Sequence, residues 1–401
     1  SRGLGDVYKR QALYCIARLP HYRSLSGRRS LATPRHTSWR RLRPGQPPAS
    51  SDMARLRAFL TQTVTTERLF RWTRNTALVV AGIVLFFSLL LWRMWQIRGS
   101  LEDIGWPTAI VATEPGDAVT ATWLGTSTLL FDDGETQILI DGAFTRLSPL
   151  DTLGLWRVKS DVATINYAMS TFAMTRLAAI VPVHSHFDHA MDVGHVANRS
   201  SAVVLGSEST ANIVRGADVP VDQYQILADG ETRQFGNFTI ELLASVHAPI
   251  GWDNREVFPG IIERPLRQPA RISDYRTGVA WSIVVTHPLG STLVQGSGGF
   301  IENKLAGEAV DIVMLGIGGL AGLGEDYTRS YWDETVLATD ATRVIAIHHD
   351  DYTVPFGEVQ LMPDMLDKVV RTAGWLDTLV EEADGRISIE LPPFGQPIIL
   401  Y

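Results

Sequence analysis

One residue of 401 is a cysteine, Cys15, and it lies in a basic leader. The rest of the chain therefore cannot close a disulfide, bind a metal through sulfur or use a thiol nucleophile, and any metal chemistry must rest on histidines and carboxylates. Acids are scarce at the front, where residues 1–100 hold 18 Lys and Arg against 3 Asp and Glu. Bases are scarce behind, where residues 101–401 hold 18 against 40, so the formal charge of −7 averages two unlike segments. A field that negative repels polyanions and disfavours nucleic acid as a partner. Short-period repeats are lacking, and so are low-complexity tracts after residue 53. The 45% hydrophobic content excludes wholesale disorder and a small disulfide scaffold, and the length suits two ordinary domains or one large one with appendages.

Residues 1–52 are rich in Arg, Ser and Pro and show no sustained periodicity, which predicts a disordered basic leader. Its first eleven residues resemble translated sequencing-adaptor read-through, which would make Met53 the start and the leader non-native. Between Arg74 and Arg93 lie 18 uncharged residues, Asn75 to Trp92. As a helix they span about 27 Å, enough for a bilayer core, and Trp72, Trp92 and Trp95 stand where an interfacial belt would place them. Small residues for cleavage do not follow, so 75–97 reads as an uncleaved signal anchor. Five Arg and one Glu between Met53 and Arg74 assign 53–74 to a cytoplasmic flank by the positive-inside bias. The acidic part then faces the other side, the periplasm in a bacterium. Residues 98–116 are expected as a linker and 117–401 as the acidic domain.

Alternating runs predict strands over 118–123, 128–131 and 137–140, the last two joined by the turn Asp132-Asp133-Gly134-Glu135. A helix is expected over Asp161–Ala178, running into a strand over 179–183. Further strands are expected over 202–205, 238–244, 279–286, 291–295, 311–315 and 344–347. Strands first, then helix and strand in alternation, twice over, predict an α/β (α+β four-layer) fold: an αββα sandwich of two mixed sheets flanked by helices, preceded by one transmembrane helix.

Six of the ten histidines fall in three places: Val183-His184-Ser185-His186-Phe187-Asp188-His189, His247, and His348-His349. Four potential ligands within six residues, following a buried strand, can hold a hard or borderline cation without thiolates. The H-x-H-x-D-H signature resembles that of the metallo-β-lactamase-fold hydrolases, and the resemblance covers roughly Val119 to His349. Thr122-Trp123-Leu124-Gly125-Thr126-Ser127 is similar to that family's opening strand and turn. Leu139-Ile140-Asp141-Gly142 is similar to its first motif, His247 to its third and His348 to its fifth.

The resemblance implies two Zn2+ sites, one held by His184, His186 and His247, and a weaker one held by Asp188, His189 and His348. Asp188 is also the candidate catalytic base, and His349 is the alternative ligand to His348. Asp141 is expected to brace the metal loop. Where binuclear relatives carry a bridging Asp, this chain has Ser297, expected to bind water or close the loop. The implied activity is a hydrolase using metal-activated water on a small-molecule or lipid-derived ester, amide, lactone or phosphodiester. A β-lactamase-like activity and a non-catalytic metal-binding scaffold are the alternatives.

Other positions have plainer expectations: Asp350 and Asp351 in a solvated turn, His195 on a surface or packing face, His287 exposed. Residues 248–277 read as a long loop able to act as a lid, from which Arg264, Arg267 and Arg271 could meet an anionic substrate group.

Overall fold

A computed structural model describes residues 50–112 and 118–401; the basic leader lies outside the described residues except for Ser50–Asp52, which are helical. Helix α1, Ser50–Gln96, runs unbroken for 47 residues through both the expected flank and the expected anchor. Its most apolar window has a mean hydropathy of 2.3 and none of it is buried, so among the described residues this one helix is long and apolar enough to cross a membrane. The chain divides within it into two units, Ser1–Val80 and Ala81–Tyr401.

In the second unit, the described part of the expected linker, residues 98–112, is fixed to the fold. Ser100 and Asp103 form a reciprocal cap on the short helix Leu101–Ile104. Trp106 Nε1 donates to Asp377 at 2.6 Å, and Thr108 and Val111 bridge to Leu391 and Ile398.

Among the described residues fourteen strands follow: β1 Thr120–Trp123, β2 Leu129–Asp132, β3 Gln137–Ile140, β4 Leu177–Val181, β5 Val203–Gly206, β6 Tyr224–Ile226, β7 Glu231–Phe235, β8 Phe238–Ser245, β9 Ala280–His287, β10 Gly290–Gln295, β11 Ile312–Gly316, β12 Arg343–Ile347, β13 Ser388–Glu390 and β14 Pro397–Ile399. They form two seven-stranded sheets, ordered β14-β1-β2-β3-β4-β5-β6 and β13-β12-β11-β10-β9-β8-β7. Each is antiparallel at one end and parallel at the other. The turn between β2 and β3 forms because Asp132 and Asp133 accept the N–H groups of Gly134, Glu135 and Thr136, while Gly134 takes φ 87°.

Alternation decides which residues meet. Trp123, Phe131, Ile138, Ile140 and Val181 from the first sheet pack against Ile240, Leu242, Ile283, Val294 and Ile345 from the second. Leu130, Leu139 and Ile180 face outward onto the helices carrying Ile165, Val193 and Val214, and Leu243, Leu293 and Val344 face outward onto those carrying Tyr331, Trp332 and Leu376. The order of layers is helix, sheet, sheet, helix.

Helix α2, Val162–Thr171, starts where Asp161 accepts the N–H groups of Ala163 and Thr164. It stops seven residues short of the expected Ala178. Ala173 takes φ 45°, and the Gln137 side chain holds the turn by bonding Ala173 O and Arg176 N. Leu177 then starts β4 two residues early, paired with β3.

Candidate metal centre

The histidines and carboxylates gather beyond the ends of β3, β4, β8 and β12. After β4 the chain passes Pro182 and Val183, presents His184 and His186, and enters helix α3, Phe187–Ala190, which carries Asp188 and His189. His247 lies just beyond β8 and His348 directly beyond β12. Two triads result, His184 with His186 and His247, and Asp188 with His189 and His348, the donor atoms of each lying within 4.8 Å of one another.

Within the first triad His184 Nε2 and His186 Nδ1 are 3.0 Å apart. In the second, His189 Nε2 lies 3.4 Å from His348 Nε2 and 3.4 Å from Asp188 Oδ2. Ligands on a tetrahedral zinc at about 2.0–2.1 Å stand roughly 3.3 Å from one another. The donor spacing therefore fits such an ion in either triad, and five imidazoles with one carboxylate are donors that suit it.

The ring nitrogens turned away from these triads are engaged in three cases. His189 Nδ1 meets Asp141 Oδ2 at 2.8 Å and Ser127 Oγ at 3.1 Å. His247 Nδ1 donates to Ala248 O at 2.7 Å, and His186 Nε2 meets Thr277 Oγ1 at 2.9 Å. Such partners fix the tautomer that leaves the inward nitrogen free to bind a metal. The buried Nδ1 of His184 has no partner. Asp141 sits at φ 58°, a left-handed conformation that aspartate tolerates, and its other oxygen accepts Val183 N at 2.8 Å.

The adjacent histidines separate because His348 also takes a left-handed conformation, φ 54°, while its N–H is held by Thr126 O. His348 turns into the triad. His349 turns the other way, stacks on Trp123 with centroids 4.9 Å apart, and stands outside both triads. Asp350 and Asp351, expected in a solvated turn, are both buried. Asp350 accepts Thr126 N at 2.7 Å, and Asp351 pairs with Arg98 at 2.8 Å. Asp350 thus holds the turn whose Thr126 O sets His348, and it also lines the cleft beside that histidine, whereas Asp351 further accepts the N–H and hydroxyl of Thr353. His287, expected exposed, is packed beside Phe238 with Nε2 3.6 Å from Asp133. His195 lies half-buried on the short helix Val193–Ala197, as a packing role requires.

A cleft of about 200 Å3 opens on the second triad, lined by Asp188, His189, His247, Ser297, His348, Tyr352 and Asp367, with Ile250, Met362 and Leu366 as its apolar part. Ser297 donates to Val246 O at 3.3 Å, tying the turn after β10 to the segment before His247. None of the three loop arginines lines this cleft. Arg267 is instead paired with Asp218 on the exposed surface. The cation beside the centre is Arg146, which bonds Leu124 O. Burial lowers its pKa against the upward pull of Asp350, Asp192, Asp351 and Asp188. Of 248–277, Ile250 reaches the cleft wall and Phe258 stands 6.1 Å from the His186 ring. Thr277, Arg146, Tyr352 and Asp367 carried no sequence signal, since each is an isolated polar residue in no motif.

Burial and neighbouring imidazoles push His184 well below its ordinary value, and burial takes His186 to about 3 and His349 to about 4. His247 is lowered by burial as well. Burial drives Asp188 upward, but His189 and His348 outweigh it and hold the carboxyl well below its usual range. Burial drives His189 downward, but Asp188 and Asp141 outweigh it and raise the imidazole.

For a histidine lowered on folding, the unfolded chain binds the proton first, so stability is present above about pH 6.5 and lost as pH falls. His189 acts oppositely, its contribution being present below about 6.5 and lost as pH rises through its folded value. Four lowered histidines outweigh one raised. Chelated protein should lose stability between pH 6.5 and 4, each lowered site costing up to about 1.4 kcal/mol per pH unit. Thermal unfolding of chelated protein at pH 7.5, 6 and 5 checks this, and a Tm that does not fall contradicts it.

Two mixed sheets between helical layers, with His-x-His-x-Asp-His after β4 and single candidate ligand histidines after β8 and β12, are the arrangement that the resemblance to the metallo-β-lactamase fold implies. No protein-family model matches the sequence, and no curated protein matches it. Solved structures do resemble it. Igni18, a metallo hydrolase from Ignicoccus hospitalis, is 15% identical over 71% of this chain and 99% of its own, with a TM-score of 0.39. The isothiocyanate hydrolase from Delia radicum gut bacteria is 15% identical over 70% of this chain and 99% of its own, with a TM-score of 0.44. CmlA, a diiron β-hydroxylase from Streptomyces venezuelae, is 15% identical over 71% of this chain and 55% of its own, with a TM-score of 0.42. The class rests on the topology and the donor set.

Proposed function

We propose that the chain is a membrane-anchored, zinc-dependent hydrolase of a small-molecule or lipid-derived ester, amide, lactone or phosphodiester. The observation that carries the reading is the pair of triads, with donors at metal-ligand spacing and three of the five imidazoles fixed from behind. His184, His186 and His247 would hold one ion, and Asp188, His189 and His348 the second. Such an ion supplies a Lewis acid for the substrate oxygen and lowers the pKa of its bound water toward about 7.

The protein's own groups supply the rest. Asp188 stays ionised and can orient an attacking water or take its proton. Tyr352, on the cleft wall, carries a phenol that is protonated at neutral pH and is raised further by burial, so it can donate a hydrogen bond to a substrate oxygen. Ile250, Met362 and Leu366 offer an apolar part of the substrate a dry surface. Helix α1 would anchor the chain, with the arginine-rich end before Arg74 in the cytoplasm and the catalytic domain on the far side.

Full-length protein in detergent is expected to carry one or two zinc ions per chain by elemental analysis. It should hydrolyse at least one of an ester, lactone, phosphodiester and β-lactam panel, with activity lost to a chelator and restored by zinc. Protein that binds no metal, or activity indifferent to the chelator, overturns the reading.

A further inference from the structure

The cleft wall is tied to the residues that leave helix α1. Arg98 Nη1 donates to Asp351 Oδ2 at 2.8 Å and to Leu361 O at 3.0 Å, and Asp364 N donates to Ile97 O at 2.9 Å. At Gly99 the backbone presses against Val370, since a Cβ there would come within 2.3 Å of Val370 Cγ2. Met362 and Leu366, which line the cleft beside His348, belong to this tied segment.

The apolar run of α1 ends at Leu91, six residues before Ile97. At about 1.5 Å per helical residue Ile97, whose carbonyl Asp364 bonds, stands about 9 Å beyond the end of that run. A bilayer's headgroup layer is about 5–8 Å deep on each side, so a membrane around α1 would bring its surface to this wall.

The wall has the chemistry of a membrane surface contact. Met365 and Leu366 are 41% and 55% exposed, and Ile250 across the cleft is 44% exposed. Lys368 and Arg371, both exposed, follow directly, and Arg93 lies on the α1 side. In a segment with 18 bases against 40 acids, residues 361–371 set two bases, Lys368 and Arg371, against two acids, half-buried Asp364 and buried Asp367, so the fully exposed charges beside these apolar side chains are cationic.

We propose that this wall rests on an anionic bilayer surface and that the substrate is a membrane-resident amphiphile. Its polar group reaches the His348 side of the cleft while its apolar part follows Leu366, Met362 and Ile250. This inference rests on the membrane-anchored hydrolase reading and names the source and class of the substrate.

The test uses full-length protein carrying Cys15→Ser, reconstituted in phosphatidylcholine vesicles with a minority of phosphatidylglycerol and with lipids brominated on the acyl chain. An environment-sensitive fluorophore is placed at Met365→Cys, or at Val221→Cys before edge strand β6 as a control. Quenching is expected at 365 and not at 221; no quenching at 365, or equal quenching at both, overturns the docking.

In the second arm, Met365→Glu with Lys368→Glu should lower turnover of a long-chain ester carried in the vesicles by about tenfold, as reversing surface attraction predicts. Turnover of a water-soluble acetate ester by the same variant should be unchanged. Equal loss on both esters, or loss on neither, means that the substrate arrives from water. If the wild type hydrolyses no ester, lactone, phosphodiester or β-lactam, the hydrolase reading fails, and the quenching still decides the docking.

Discussion

His186→Ala is expected to lower every hydrolytic activity of the protein by at least about 10^3-fold, because the contribution of a catalytic metal is several kcal/mol and each 1.4 kcal/mol is tenfold. His186 stands between both parts of the site. Its Nδ1 faces His184 Nε2 at 3.0 Å, and its Nε2 is held by Thr277, which comes from the far end of the 248–277 segment. The alanine removes one donor of the first triad and frees Thr277. The imidazole is held neutral by burial, its pKa pushed down to about 3, so its loss removes no folded-state charge and the fold should survive. The checks are zinc content and activity on the substrate panel, with circular dichroism to confirm folding. A folded variant that keeps activity would falsify the metal-dependent mechanism.

Asp141→Ala should be the most damaging single change to stability near the site, at about 3–5 kcal/mol, the cost of removing one partner from a buried pair. It leaves buried His189 without its carboxylate partner and Val183 N–H without its acceptor, and places alanine at φ 58°. Asp141→Asn separates the two consequences. Asparagine tolerates the backbone and can still accept from Val183, so most of the stability should return, while His189 is less firmly held and zinc affinity falls by about 10–100-fold. Denaturant unfolding of the chelated proteins measures the first effect and competition with a zinc chelator the second. An Asn variant as unstable as the Ala variant would show that Asp141 acts through charge alone.

Much of the architecture is legible along the chain because alternation of apolar residues is a local property. Gln137–Ile140 appears as read, β8, β10 and β12 differ from expectation by one residue at one end, and β2, β9 and β11 are displaced by one residue at both ends. The short strands β6, β7, β13 and β14 were not legible. Glu231–Phe235 and Tyr224–Ile226 lie at sheet edges with polar or exposed residues, so their alternation carries little apolar signal. The helix over 162–171 is shorter than its apolar pattern implies, because its stop depends on Gln137, a residue distant in sequence.

By itself the sequence determined the kind of chemistry. One cysteine outside the acidic part forbids sulfur ligation, and histidines spaced around a strand end put nitrogen donors side by side, since strand and loop geometry acts within a few residues. Only the tertiary structure decided which donor atoms stand within reach of one another, that His348 and not His349 joins them, and that Asp350 and Asp351 are buried. Those outcomes depend on contacts between residues more than two hundred positions apart, Thr126 with Asp350 and Arg98 with Asp351, and on a backbone dihedral at His348 that no residue type announces. The same distance hid the tie between the end of helix α1 and the wall of the cleft.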